Sequence, residues 1–315
     1  MSQSPAAVDS NSPDRATATA PPAPPVAPPA AARKNVPGKN HPAYTNLSRP
    51  LGERPQTQSE STWAKEAVIE LRNVHKAFGQ FKVLDGVTCR IPKGEITVLM
   101  GPSGTGKSVT LRHIVGLMPP DSGEVFVSDR AVPMLNEDEL LELRRGIGML
   151  FQDGALFSSM SLYDNVAFPL RQHTKKSERD IREIVMDRLT EVGLAGAEKR
   201  MPSELSGGMR KRAGFARALV MEPRILLFDE PDSGLDPVRT TLLCDLIREI
   251  SAKYKATSIV VSHDVGAVRR FADNIGILYK GKMRHFGNKQ EIEESDDEFV
   301  RQFFNASSDG PLGMD

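Results

Sequence analysis

The segment "GEITVLMGPSGTGKSVTLRHIVGLM" constrains the fold of this 315-residue chain more strongly than any other stretch. Its apolar, β-branched start predicts a buried strand, and residues 107–118 have the periodicity of a helix that ends before Pro119. Between them, residues 101–108 fit the pattern G-x-x-x-x-G-K-[ST], which requires this strand–loop–helix setting. Backbone N–H groups and the helix N-terminus favour an anion there. The pattern predicts a phosphate cradle in which Lys107 reaches the β- and γ-phosphates and Ser108 binds Mg²⁺.

Two carboxylates follow a second buried strand, in the run "ILLFDE". Ligands of parallel sheets gather at the carboxyl ends of the strands, so Asp229 can hold Mg²⁺ through water. Glu230 can orient a water against the γ-phosphate as the catalytic base. An Asp-Glu pair after a strand is by itself often a solvated helix entry, but in a chain with a phosphate loop we interpret it as catalytic.

Two further polar residues follow buried strands. His263 ends the run "ATSIVVSH", and Gln152 ends "GIGMLFQ". A lone histidine at a strand end is usually structural, but this strand should lie near the phosphate site, where His263 could contact the γ-phosphate. The neutral amide of Gln152 can contact the metal or the attacking water.

Strands and helices alternate over the second half of the chain. The helical pattern "PVRTTLLCDLIREISAKY" separates "RILLFDE" from "ATSIVVSH", and a hairpin is predicted around Lys280-Gly281. Amphipathic helices are predicted between residues 161 and 200. This alternation indicates an α/β fold with a mainly parallel sheet.

Composition limits the alternatives. Residues 1–62 contain 12 of the 23 prolines and predict a disordered tail with polyproline II character; a docking peptide for a Pro-reading partner is the less favoured alternative. Basic and acidic residues balance at 41 each, so no nucleic-acid partner is expected. Cys89 and Cys244 form neither a disulfide framework nor a zinc spacing. We find neither a secretory signal nor an apolar run that would span a bilayer.

A second candidate anion site lies in "ELSGGMRKR". Ser206 resembles a helix N-cap, and Gly207 and Gly208 leave the first N–H groups bare. A basic cluster follows, which either strengthens the positive helix end or forms a solvated face: Arg210, Lys211, Arg212 and Arg217.

The motifs "GPSGTGKS", "LFQ", "LSGGM", "ILLFDEP", "SGLDP" and "VSHD" occur in the order found in ABC transporter ATPase subunits, which this chain resembles over about residues 66–304. The resemblance implies a P-loop NTPase with an antiparallel β subdomain and an inserted helical subdomain over about residues 153–215. It divides the chain into a tail (1–62), an ATPase domain (66–305) and a short C-terminal tail (306–315). The chain departs from the common pattern at Met209, where a glutamine is usual.

The resemblance also implies a head-to-tail dimer in which ATP lies between the phosphate loop of one copy and the "LSGG" segment of the other. Asp236 would cross to the partner's site, and Phe78 would stack on adenine, although a core or turn aromatic is a rival interpretation. The implied catalytic residues are Glu230, His263 and Gln152, and the implied metal ligands are Ser108, Gln152 and Asp229. The implied nucleotide-binding residues are Phe78, Gly101, Pro102, Ser103, Gly104, Thr105, Gly106, Lys107, Ser108, Val109, Ser206, Gly207, Gly208 and Asp236.

Within the family, "MPSELSGGMRKR" and "MLFQDGALFSSMSLYDNVAFPLR" resemble the ATPases of Mce/Mla-type lipid transporters. This implies a YrbE/MlaE-like permease as a direct partner, Mce-domain proteins as indirect partners, and a peripheral location on the cytoplasmic face of a bacterial inner membrane. The alternative is an ATPase for another permease or for a cell-division complex. The apolar segment after Gln152 is expected to expose Phe157 and Leu162 as a groove for the permease, with plain packing of the helical subdomain as the alternative.

Overall fold

The computed structural model describes residues 54–305, 307 and 310–311. Residues 1–53 of the predicted N-terminal tail and most of the predicted C-terminal tail lie outside the described residues. The division into two tails and one ATPase domain therefore stays a prediction.

The strands and the α-helices of the described residues are each numbered in chain order. The strands are β1 (Ala67–Phe78), β2 (Phe81–Pro92), β3 (Ile96–Met100), β4 (Ser122–Val127), β5 (Arg130–Ala131), β6 (Ile147–Leu150), β7 (Ile225–Asp229), β8 (Thr257–Val261), β9 (Asn274–Tyr279) and β10 (Lys282–Asn288). The α-helices are α1 (Glu60–Trp63), α2 (Lys107–Ile114), α3 (Glu137–Arg145), α4 (Leu162–His173), α5 (Glu178–Glu191), α6 (Gly207–Leu219), α7 (Pro237–Tyr254), α8 (Val265–Phe271), α9 (Lys289–Glu293) and α10 (Glu298–Asn305).

The larger sheet has the strand order β10-β9-β3-β8-β7-β6. All neighbours from β9 to β6 pair in parallel, and β10 pairs antiparallel with β9 through the predicted hairpin. The predicted α/β fold with a mainly parallel sheet is confirmed.

Alternate residues of the central strands pack on opposite faces of this sheet, as the two-residue repeat of a strand requires. In β7, Leu226 and Phe228 join a cluster with helices α4 to α8, whereas Ile225 and Leu227 join a second cluster with α2 and α3. Every residue of β3, β7 and β8 is buried. Burial on both faces explains why these strands appear in the sequence as continuous apolar runs.

The smaller sheet is antiparallel, with the order β2-β1-β4-β5. Its apolar residues, such as Ile69, Leu71 and Val125, join the same cluster as α2. The long hairpin β1–β2 therefore packs over the helix that follows the phosphate loop.

Helices α4, α5 and the start of α6 lie in the predicted helical region between β6 and β7. Each begins at a serine whose hydroxyl accepts a hydrogen bond from the third residue of its helix: Ser161, Ser177 and Ser206. These caps explain where the helices begin.

The described chain packs against the fold before residue 66, where the sequence analysis starts the ATPase domain. Gln58 is fully buried and exchanges two hydrogen bonds with the backbone of Arg90, at 3.0 Å each. The backbone of residues 57 and 59 bonds to Phe286 in β10. Residues 54–65 therefore join the two sheets, because the Gln58 side chain bonds to β2 and the backbone on either side of Gln58 bonds to β10.

None of the helices in the described part of the chain combines the length and apolar character needed to cross a membrane.

Candidate nucleotide-binding and hydrolysis site

Four loops meet along one edge of the parallel sheet. In the order β3-β8-β7-β6, the carboxyl ends of these strands lead to the phosphate loop, His263, Asp229 with Glu230, and Gln152. Residues that are up to 162 positions apart in sequence are therefore brought to one side of the sheet.

Glycines permit the tight path of the phosphate loop. At Gly101, φ is +139° and an added Cβ would lie 2.0 Å from the carbonyl oxygen of Leu278. At Gly106, φ is +98° and an added Cβ would lie 2.4 Å from a methyl carbon of Leu84. A side chain at either position would collide with its surroundings and force the loop off this path.

Lys107 begins helix α2 and points into the loop. Its ammonium group donates to the carbonyl oxygens of Gly101 and Pro102, at 2.8 Å each. Burial lowers the pKa of Lys107, and the negative charges of Glu230 and Asp229 oppose that shift. Lys107 thus places a buried positive charge between the phosphate loop and the carboxylates at the end of β7.

The Ser108 hydroxyl donates a hydrogen bond of 2.6 Å to the Asp229 carboxylate. Asp229 is 8% exposed and ends β7. The two predicted metal ligands are therefore adjacent, and both offer oxygen atoms.

Glu230 adopts a left-handed backbone conformation, with φ of +48°. Its N–H donates to the carbonyl oxygen of Val261 at 3.1 Å, which holds the turn after β7 against the end of β8. A non-glycine residue in this conformation is uncommon and is typical of functional loops.

Gln152 and His263 are exposed at the ends of their strands. The Gln152 amide donates to the Ser233 hydroxyl at 3.3 Å, which joins the loop after β6 to the loop after β7. The structure places Gln152 and His263 on either side of the carboxylates, in agreement with the predicted grouping.

The remaining phosphate-loop residues differ in exposure. Ser103 and Gly104 are exposed, whereas Thr105 is buried and donates to the Pro102 carbonyl oxygen at 2.9 Å. Val109 is half-buried against the apolar cluster below helix α2.

Phe78 lies at the end of β1 and is 48% exposed. Its ring faces the Lys76 ammonium group, 5.8 Å from the ring centroid. This exposure excludes the core part of the rival interpretation, whereas Phe78 does lie beside the turn between β1 and β2, so its stacking on adenine stays a prediction.

The "LSGG" segment forms the start of α6. Ser206 is its N-cap, and its hydroxyl accepts from the Met209 N–H at 3.3 Å. Within residues 54–305, no hydrogen bond joins Ser206, Gly207 or Gly208 to the phosphate loop of the same chain. Ser206 and Gly208 instead line a cavity of about 390 Å³ between α6 and α7.

The basic cluster on α6 serves the fold. Each of its four side chains donates to backbone carbonyl oxygens: Arg210 to Leu205, Lys211 to Ser233 and Glu230, Arg212 to Val192 and Gly193, and Arg217 to Ala155 and Gly154. These contacts hold neighbouring loops, and the two predicted roles, a stronger positive helix end or a solvated face, stay predictions.

Asp236 is the N-cap of α7 and accepts from the Arg239 N–H at 3.0 Å. Its carboxylate also lies 3.1 Å from the Arg239 guanidinium. Half of the side chain remains exposed on the surface next to the "LSGG" helix.

The apolar segment after Gln152 is only partly exposed. Leu162 is fully buried as the first residue of α4, so the expectation that it lines an exposed groove is wrong. Phe157 is 43% exposed, and its ring centroid lies 5.0 Å from that of Phe168. The buried Asn165 amide bonds to both backbone groups of Phe157 and thereby fixes the loop that presents this ring.

Sequence analysis missed Asp232 and Ser262, two buried polar residues that join the loops after β7 and β8. Their positions in sequence could have indicated a supporting role, because Asp232 lies two residues after Glu230 and Ser262 lies one residue before His263.

The parallel sheet carries the phosphate loop after β3 and paired carboxylates at the end of β7, two strands away. This arrangement defines a P-loop nucleotide hydrolase. Comparisons with known proteins agree. A family model described as ABC transporter matches residues 84–233. The probable ribonucleotide transport ATP-binding protein mkl of Mycobacterium leprae is 52% identical over 246 residues, which cover 78% of this chain and 71% of that protein. The intermembrane phospholipid transport system ATP-binding protein MlaF of Escherichia coli is 42% identical over 245 residues, which cover 78% of this chain and 91% of that protein.

Solved structures give the same result. A dimeric ATP-binding cassette in a post-hydrolysis state, bound to ADP and Pi, matches with a TM-score of 0.66 and 32% identity, covering 70% of this chain and 98% of that one. The protein cbiO1 of Clostridium perfringens, part of the ABC transporter complex cbiONQ, matches with a TM-score of 0.67 and 29% identity, covering 76% and 94%. The chain belongs to the ABC transporter family, as an ATP-binding subunit with the ABC ATPase fold.

Proposed function

We propose that this subunit hydrolyses ATP with Mg²⁺ at the edge formed by β3, β8, β7 and β6, and thereby drives a Mce/Mla-type lipid transporter. The hydrogen bond between Ser108 and Asp229 is the observation that carries the catalytic part. It brings together two oxygen ligands beside the buried ammonium group of Lys107. A hard cation such as Mg²⁺ prefers such ligands, so the residues fit the ion.

Each residue at this edge has a separate task. Lys107 and the N–H groups of the phosphate loop bind the phosphates, and Glu230 orients the attacking water and accepts its proton. His263 contacts the γ-phosphate, Gln152 senses the metal and the water, and Phe78 stacks on adenine. Bound Mg²⁺ supplies positive charge that neutralises the phosphates.

The second half of the site belongs to another copy of the chain. Ser206, Gly207 and Gly208 stand at an exposed helix N-terminus, a place that favours phosphate. The "LSGG" helix of one copy therefore binds the γ-phosphate held by its partner, and Asp236 approaches from the same surface. A related cassette forms a dimer in its ADP and Pi state.

The lipid assignment is supported by similarity to MlaF, whose name specifies intermembrane phospholipid transport. The name of the mycobacterial relative specifies ribonucleotide transport, so ribonucleotide is the second candidate cargo. The related proteins reported above are transport subunits, so the cell-division alternative is not favoured. A YrbE/MlaE-like permease with Mce-domain proteins, at the cytoplasmic face of a bacterial inner membrane, completes the proposed assembly.

Affinity purification of the full chain from its own membranes, followed by mass spectrometry of bound proteins and lipids, tests this proposal. We expect a YrbE/MlaE-like permease, Mce-domain proteins and phospholipid. In reconstituted assemblies, phospholipid and not ribonucleotide should stimulate ATP hydrolysis. Recovery of a different permease, or stimulation by ribonucleotide alone, would reject the lipid assignment and leave the ATPase assignment intact.

A further inference from the structure

Two buried polar side chains join the loop after β7 to the loop after β8. Asp232 is 8% exposed and Ser262 is 1% exposed. The Ser262 hydroxyl donates to the Asp232 carboxylate at 2.6 Å and accepts from the Asp264 N–H at 3.1 Å. Asp232 lies two residues after Glu230, and Ser262 directly precedes His263. This pair therefore links the loops that carry two proposed site residues.

The link begins where the sheet ends. The last register pair of β7 and β8 is Asp229 with Val261, and the Glu230 N–H still donates to the Val261 carbonyl oxygen. In the described part of the chain, no hydrogen bond or ion pair is formed by the His263 side chain. The Ser262 hydroxyl thus connects Asp232 to the backbone on the far side of His263, and this fixes the path of the loop through the histidine.

The charge of Asp232 has a second neighbour. Lys211 is 6% exposed and donates to the carbonyl oxygens of Ser233 and Glu230. Burial lowers the pKa of Lys211, and the charge of Asp232 is the first of the nearby charges that oppose this shift. The hydrogen bond and the charge of Asp232 therefore act on different partners.

Building on the ATP hydrolysis proposed above, we infer that Asp232 and Ser262 are positioning residues for His263. Neither needs to touch nucleotide. Asp232 holds the Ser262 hydroxyl, and this hydroxyl holds the backbone so that His263 meets the γ-phosphate. Nucleotide affinity depends on the phosphate loop, which this pair does not contact through its side chains. Loss of the pair should consequently reduce kcat and leave the KM for ATP unchanged.

Variants of the full chain separate this role from simple packing. Ser262→Ala removes the hydroxyl, and Asp232→Asn keeps an oxygen acceptor for it but removes the charge. Ser258→Ala is the matched control, because Ser258 is a buried serine near the start of β8 whose hydroxyl lies 2.7 Å from that of Ser251, whereas Ser262 follows the end of the strand. The measurements are kcat and KM for ATP, the midpoint of thermal unfolding, and amide hydrogen exchange over residues 262–268.

We expect Ser262→Ala to lose about 10-fold in kcat, the effect of one hydrogen bond of typical strength, with KM changed less than about 2-fold. Amides 262–268 should exchange faster. Asp232→Asn should retain kcat within about 3-fold, and its amides 262–268 should exchange as slowly as in the wild type. It should unfold at a lower temperature, because Lys211 loses a compensating charge. Ser258→Ala should keep the wild-type kcat.

Two results would overturn the inference: wild-type kcat in Ser262→Ala, or equal kcat losses in Ser262→Ala and Ser258→Ala. The wild-type chain and Glu230→Gln, measured in parallel, test the proposed function separately. If the wild type hydrolyses ATP and Glu230→Gln does not, a normal Ser262→Ala rejects the positioning role alone. If neither differs from background, ATP hydrolysis itself is rejected.

Discussion

The Ser108 hydroxyl and the Asp229 carboxylate are 121 positions apart in sequence and 2.6 Å apart in the structure. Ser108 lies in the first turn of α2 and Asp229 ends β7, so their contact depends on the strand order of the sheet. Because both offer oxygen atoms beside a buried lysine, this contact determines where the phosphates and the metal are expected.

Lys107→Ala should weaken ATP binding by roughly 10- to 100-fold, since each hydrogen bond from a charged group contributes about 1.5–3 kcal/mol. Calorimetric titration with ATP and Mg²⁺ measures the affinity. The exposed Lys175 supplies a control, and Lys175→Ala should bind as the wild type does. Equal affinities in the wild type and Lys107→Ala would show that the loop lysine does not contact the phosphates.

Glu230→Gln should reduce ATP turnover by roughly 10²- to 10⁴-fold, because the amide cannot accept the proton of the attacking water. ATP binding should persist, and the uncleaved γ-phosphate should hold two copies together. Size-exclusion chromatography with and without ATP measures that dimer. The exposed Glu249 gives the control Glu249→Gln, which should hydrolyse ATP normally and accumulate no lasting dimer, because it cleaves the γ-phosphate that holds the two copies together. Near-normal turnover in Glu230→Gln would place the base elsewhere.

Phe157→Ser should preserve the ATPase activity of the isolated subunit but lower the ATPase activity and transport of the assembled transporter. Phe157 is held at the surface by Asn165 and lies over the Arg217 guanidinium, 5.6 Å from the ring centroid, so it presents a rigid apolar contact. Leu141→Ser is a matched control, because Leu141 is an apolar residue of similar exposure, 47%, on another element, helix α3. Unchanged transport in Phe157→Ser would exclude this ring from the permease contact.

The long apolar runs were predictable because burial on both faces leaves an unambiguous pattern, as in β7 and β8. Helix α7 was also predicted over its full length. Sequence analysis missed α3 although Asn136 and Glu139 form a capping box visible in the sequence. It placed Leu162 at the surface because an apolar residue after a loop does not reveal which face of the next helix is buried.

The contacts of Lys211 were not predictable for a different reason. Its carbonyl partners lie 19 and 22 residues away on a loop whose position depends on the whole sheet. Positive charge next to an "LSGG" segment looks like part of an anion site, whereas the fold uses it to hold the loop after β7. Patterns in sequence thus predicted the residues proposed to bind phosphate, but not those that support them.

Gly214→Ala should lower the free energy of unfolding by about 1–3 kcal/mol, the usual cost of overpacking. An added Cβ at Gly214 would lie 2.8 Å from the Gly154 carbonyl oxygen and 2.8 Å from a methyl carbon of Leu150. Gly146→Ala is the control, because its Cβ would meet no closer atom than the Leu143 carbonyl oxygen at 3.5 Å, and its φ of −87° suits alanine. Urea unfolding should show little change or a gain of about 0.4–1 kcal/mol for Gly146→Ala. Equal effects of the two variants would contradict the close packing of α6 on the loop after β6.

Glu191→Gln should destabilise the protein at pH 7 and lose that effect in acid. Glu191 ends α5 and accepts hydrogen bonds from Lys253 and Tyr254 of α7, while the Arg188 guanidinium lies 3.1 Å away. Burial raises the pKa of Glu191, but these hydrogen bonds and the nearby positive charges outweigh it, so the pKa lies below its usual range. A carboxylate with a depressed folded-state pKa stabilises the fold fully above its unfolded pKa of about 4.3, and this stabilisation is lost as the pH falls through the folded-state pKa.

Urea unfolding at pH 7 should therefore show a loss of about 1.5–3 kcal/mol for Glu191→Gln, the range for hydrogen bonds to a charged group. The difference between variant and wild type should shrink as the pH is lowered below about 4, because the wild-type carboxylate then becomes neutral as well. Glu183 lies exposed on the same helix, so Glu183→Gln should match the wild type at every pH. A difference for Glu191→Gln that stays constant from pH 7 to pH 3 would mean that the shape of the side chain, and not its charge, joins α5 to α7.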